Sequence, residues 1–167
     1  MKKIFMMCLL GLNFVSCDVD IMADESNSTK PRSPQSKPRD LTQPLSGKIN
    51  GKLWDAVSGK VEQGYEEGTF RVTVYNQQSE DVCSILFSGE PMLLFGMQDK
   101  TGMDYLSLSH NVTMAYQVDG GSMNVIAQEG YTDVLAIDDT TVEIELKAFS
   151  DADHSVGGRI SLKRCDN

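Results

Sequence analysis

"TVEIELKAF", residues 141–149, is the stretch that decides the fold. Val142, Ile144, Leu146 and Ala148 alternate with Glu143, Glu145 and Lys147. A period of two puts successive side chains on opposite faces of a strand, so one face here is apolar and the other charged. That pattern suits an antiparallel sheet packed on one side and wetted on the other. The same texture extends outward in both directions. "TFRVTVYN" (69–76) sets Phe70, Val72 and Val74 against Arg71, Thr73 and Tyr75, and "VGGRISLKRC" (156–165) sets Ile160 and Leu162 against Ser161 and Lys163. Further short runs are "LSGKIN" (45–50), "KLWDAVSGKVEQG" (52–64), "CSILFSG" (83–89), "PMLLFGM" (91–97), "DYLSLS" (104–109), "NVTMAYQV" (111–118), "SMNVIAQEG" (122–130) and "YTDVLAID" (131–138). Asn50-Gly51 and Asp119-Gly120 are tight hairpin signals. A short helical turn fits within "KLWDAVS", and no window is long enough for a helix. The expectation is an all-β domain over residues 45–167: an antiparallel sandwich or small closed barrel of about eight to ten strands.

Upstream of residue 45 the composition changes. Residues 17–44 carry four of the chain's five prolines (Pro31, Pro34, Pro38 and Pro44), with serine and mixed charge. Such a segment buries too little apolar area to offset chain entropy and reads as a disordered tether. Residues 1–16 open with Lys2 and Lys3, followed by an apolar run of about a dozen residues. That is too short for a bilayer, which takes about 20, and it has the form of a secretory signal peptide.

The leader ends in "FVSC", where Phe14, Val15 and Ser16 precede Cys17. This resembles the lipobox of bacterial lipoproteins, with Phe14 in the place where leucine is commonest. The resemblance implies that Cys17 becomes the mature N-terminus and carries a thioether-linked diacylglycerol. Two or three acyl chains anchor stably, because each buried methylene contributes about 0.8 kcal/mol. The partner is then a membrane, reached through the lipid on Cys17, and the location is the bacterial cell envelope. In enterobacterial lipoproteins an Asp in the place of Asp18 goes with the periplasmic side of the inner membrane; the outer membrane is the alternative.

Of the four cysteines, Cys8 falls in the leader and Cys17 is the lipid site, which leaves Cys83 and Cys165. In an oxidising compartment a disulfide between them is the expectation, with two free thiols or half a metal site as the alternatives. Loss of the leader removes only Lys2 and Lys3 from its charges, so the net charge of −9 becomes −11. A chain this acidic repels phosphate, which argues against a nucleic-acid partner.

"LSGKINGKLWDAVSGKVEQG" (45–64), taken with "IDDTTVEIELKAFSDADHSVGGRISLKRC" (137–165), is similar to a pattern of small exported bacterial lipoproteins. In those, a G-x-(I/V)-N-G strand pair opens the domain and a strand ending in cysteine closes it. The resemblance implies a β-sandwich or calycin-like barrel and no particular activity.

Catalytic signals are few. There is no G-x-S-x-G elbow, and His110 and His154, the two histidines, sit in no recognisable motif. "DADH" (151–154) and "DVLAIDD" (133–139) are carboxylate-rich but lack a calcium-loop pattern and read as solvated turns. No cofactor, metal site or catalytic residue is expected. The sequons at Asn27 and Asn111 carry no meaning behind a lipobox. Trp54, Phe70, Tyr75, Phe87, Phe95 and Tyr105 either form the core or line a cavity. Met92, Leu93, Leu94, Phe95 and Met97 read as a buried strand or, alternatively, as an exposed partner-binding edge. The functional expectation is a non-enzymatic binding or structural module held at a membrane; a calycin-like carrier of a small apolar ligand is the alternative.

Overall fold

The computed structural model describes residues 42–85 and 89–165. The leader, Cys17, the tether as far as residue 41, and Leu86, Phe87 and Ser88 lie outside the described residues. Eleven strands follow in order: β1 (Ser46–Ile49), β2 (Lys52–Asp55), β3 (Ser58–Gln63), β4 (Thr69–Tyr75), β5 (Met92–Gln98), β6 (Gly102–Tyr105), β7 (Val112–Val118), β8 (Gly121–Ala127), β9 (Glu129–Ile137), β10 (Thr141–Asp151) and β11 (His154–Arg164). A single 3-10 turn, Val82–Ser84, interrupts them. The domain is nearly all β, as the alternation requires.

The strands form one curled open sheet, a half-barrel, in the order β6-β9-β10-β11-β3-β4-β5-β7-β8. The β1–β2 hairpin attaches through β1 to β11. The strand count exceeds eight to ten because "KLWDAVSGKVEQG" divides where the chain changes partners. Ala56 N donates to Leu45 O in the first hairpin, and the next residue, Val57, donates to Tyr75 O in β4. β2 and β3 are extended, so "KLWDAVS" holds no helical turn.

Two further expectations are corrected. One pair is parallel: Lys163 and Arg164 at the end of β11 lie beside Lys60 and Val61 of β3. The start of β11 pairs antiparallel with β1, and its far end continues past β1 to reach β3. The run from Cys83 to Ile85 is not a strand. Asp81 caps the 3-10 turn by accepting from Cys83 N at 3.1 Å and Ser84 Oγ at 2.6 Å. Just before β1, Arg159 N donates to Gln43 O at 2.8 Å and Leu45 N donates to Arg159 O at 2.9 Å.

Both hairpin signals are realised. Asn50 and Gly51 have φ of 53° and 70°, and Asp119 and Gly120 have 49° and 80°, the paired positive values of a tight hairpin turn. The hollow of the curl is filled by fully buried side chains, among them Val72, Leu93, Val112, Met114, Ile144, Leu146 and Leu162. Trp54 belongs to this core and donates Nε1–H to Pro91 O at 2.9 Å; Phe70 and Phe95 are in the same core. Met92, Leu93, Phe95 and Met97 are buried in β5 between β4 and β7, which settles "PMLLFGM" as an interior strand and not an exposed edge. Cys83 and Cys165 are disulfide-bonded, with Cα atoms 5.6 Å apart.

Candidate binding surface

The β3–β4 register sets Glu62 opposite Arg71 and Lys60 opposite Thr73 on the outer face of the sheet. A polar ladder results. Lys60 Nζ donates to Cys83 O at 3.1 Å and to Glu62 Oε1 at 3.3 Å, while Arg71 donates to Glu62 Oε2 at 2.9 Å and to the Tyr65 hydroxyl at 3.3 Å. The ladder ties the disulfide-bearing segment to the sheet. Burial alone would push the Glu62 carboxyl up, but the hydrogen bonds from Arg71 and Lys60 outweigh it and hold Glu62 below the usual carboxylate range. A depressed carboxylate contributes stability that is present above its unfolded pKa, about 4.3, and lost as pH falls through the folded value. The stability gap between wild type and Glu62→Gln is therefore expected to be largest near neutral pH and to shrink below about pH 4. Urea melts at several pH values measure it; a gap that stays constant down to pH 3 would contradict the role given to Glu62.

A trough runs beside this ladder because β5 outlasts its neighbour. Strand β7 pairs only with Met92–Phe95, so Gly96, Met97 and Gln98 continue past it along β4. The loop before β7 lies alongside, folded on itself by Ser107 N to His110 O at 2.6 Å and by Asn111 Nδ2 to Leu108 O at 3.1 Å. Gly96 adds no side chain to the floor. The open trough measures about 580 Å³ and is lined by Tyr65, Arg71, Leu94, Gln98, Ser109, His110, Asn111 and Thr113, among others. A second trough of about 450 Å³ shares Arg71 and Leu94 and continues over Met92, Ala115 and Asn124. Hydroxyl, amide and imidazole groups rim an apolar floor. Such a surface offers donors and acceptors together, and its lysine and arginine, Lys60 and Arg71, are already engaged by Glu62.

The two histidines have separate partners. His110 lies in the larger trough with Ser109, and its Nε2 is 3.0 Å from Thr132 Oγ1. His154 Nδ1 is 2.8 Å from Asp151 Oδ1, and its Nε2 is 3.1 Å from the Tyr116 hydroxyl, with the two rings stacked at 5.6 Å. The hydrogen bond from His154 holds the exposed Asp151 carboxyl below its ordinary value. The Asp–His half resembles the orienting pair of a catalytic triad, but a buried phenol stands where a serine would be. This chain of bonds joins the β10–β11 hairpin to β7. Tyr116 carries no signal in the sequence, because its partner is 38 residues away.

The acid-rich stretches are hairpin fixtures. Asp138 Oδ1 accepts from Thr140 N and Thr141 N, each at 2.7 Å, and these bonds, with those from both threonine hydroxyls, hold its carboxyl far below the usual range. Asp151 Oδ1 accepts from Asp153 N at 2.9 Å. Among the described residues no group of three or more His, Cys, Asp or Glu side chains is placed to hold a metal ion. Glu145 departs from the solvent-side position that alternation assigns it. It is 4% exposed, accepting from the Tyr131 hydroxyl at 2.6 Å and from Arg159 Nε at 3.1 Å. No helix among the described residues is long and apolar enough to cross a membrane. Comparison with protein-family models, curated proteins and solved structures finds no match for this chain.

Proposed function

We propose that the chain is a membrane-tethered lipoprotein of the bacterial cell envelope, whose half-barrel binds a partner on its surface and performs no chemistry itself. In this reading residues 1–16 are removed on export and Cys17 carries the acyl chains. Residues from Cys17 to the start of the domain then hold it off the membrane. The tether rests on the lipobox-like "FVSC" and on the proline-rich segment that follows. The binding part rests on one observation: two open troughs lie on the outer face, whereas the hollow of the sheet is packed with aliphatic and aromatic side chains. That placement favours a surface module over the rival carrier, which needs an apolar void inside the curl. As to architecture, we read the sheet as an incompletely closed member of the sandwich and barrel class.

Fractionation tests the tether. With labelled palmitate, the wild-type protein is expected to take up label and sediment with membranes, while Cys17→Ser takes up none and is released. Equal labelling of the two proteins would overturn the lipid assignment.

A further inference from the structure

The two edges of the open sheet are unlike. At one end β6 is four residues long and carries Asp104, a short and charged edge of the kind that discourages further pairing. At the other end β8 is seven residues long, "GSMNVIA", without a charge or a proline. Among the described residues its only strand partner is β7. Met123 and Val125 face the hollow, opposite Tyr116 and Met114; β10 passes near β8 without pairing with it, and Met123 is left 48% exposed. Ile126, on the outer face, is 49% exposed. An edge of this length that no second described strand pairs with is a template for strand addition.

We infer that β8 is a docking edge for an extended peptide segment that has apolar residues at alternate positions and basic residues at both ends. The charges that flank the edge select this occupant. Asp119 precedes β8 and Glu129 follows it, both exposed. A second copy paired antiparallel about a two-fold axis, with residue 121 opposite residue 127, would set each Asp119 beside the other chain's Glu129. It would do so between molecules that each carry a net charge of −9. One strand pair is also a narrow strip beside the 1,200 Å² or more (order of magnitude, about) that a stable interface buries. A peptide with basic ends meets both acids favourably. Its main chain takes up the β8 hydrogen-bonding groups that face away from β7, and its alternate apolar side chains cover Met123 and Val125. The inference stands apart from the tether: it survives if Cys17 carries no lipid.

The test uses the detergent-solubilised exported chain and three synthetic peptides: Lys-Thr-Val-Thr-Val-Thr-Val-Thr-Lys, the same peptide with Glu at both ends, and the same with Pro at its centre. Amide hydrogen exchange across residues 121–127 reports occupancy. The lysine-ended peptide is expected to slow exchange there, to bind at least tenfold more tightly than the Glu-ended one, and to lose binding with central Pro. The double variant Met123→Lys, Ile126→Lys changes exposed positions only; it is expected to keep the wild-type circular dichroism and to bind the peptide at least tenfold more weakly. The inference is overturned by absence of slowed exchange at millimolar peptide or by equal binding of all three peptides. It is equally overturned if β8 is protected in a concentration-dependent dimer without peptide.

Discussion

Replacing both Cys83 and Cys165 by alanine is expected to lower the stability of the domain by about 4–5 kcal/mol at most. The two residues are 82 apart in sequence, so the bond closes a loop containing β5 to β11. Opening that loop frees the unfolded chain, which is where a cross-link of this length acts. Folded contacts at both ends also weaken: Lys60 Nζ donates to Cys83 O, and Cys165 N donates to Val61 O at 2.8 Å. The end of β11, paired parallel with β3, is then free to fray. Guanidinium melts of the wild-type and double-alanine proteins give the difference, and reduction of the wild type is expected to reproduce it. A loss below about 1 kcal/mol would mean that the sheet holds its terminal strand without the cross-link.

Gly130→Val is expected to destabilise by about 3 kcal/mol or more, through strain and overpacking together. Gly130 lies in β9 with φ of 126°, a conformation that side-chain-bearing residues rarely adopt. It pairs with Ala148, and any Cβ added there would run into the carbonyl oxygen of Lys147. That neighbour is backbone of the central strand β10 and cannot swing aside. Gly96→Ala is the internal control, because a Cβ there meets nothing closer than Phe70 O at 3.8 Å. Its melting temperature is expected to stay near that of the wild type. Similar losses at the two glycines would contradict the close approach of β9 to β10.

Alternating residues and hairpin turns were legible in the sequence because both are local. The Val142–Ala148 pattern marks β10 and its buried face, and Asn50-Gly51 and Asp119-Gly120 mark two turns by their tolerance of positive φ. The cysteine pair was legible by elimination, once Cys8 and Cys17 had been read as leader and lipid site and set aside. What escaped was set by contacts between distant strands. The parallel pairing of β3 with β11 leaves no mark in either strand. Glu145 has the pattern of a solvent-facing residue, and partners on the neighbouring strands, Tyr131 and Arg159 among them, make its burial tolerable. The troughs depend on β5 extending beyond β7, and the open edge on β8 lacking a further neighbour. Neither follows from the order of elements along the chain.

The proposed lipid on Cys17 is the premise on which the envelope assignment stands, and the intact mass of the protein extracted from the cells that make it tests it most directly. The expected mass is that of a chain beginning at Cys17 and bearing two or three acyl chains, with two hydrogens fewer for the Cys83–Cys165 bond. A chain that retains residues 1–16, or one that begins elsewhere without acyl mass, would contradict the account.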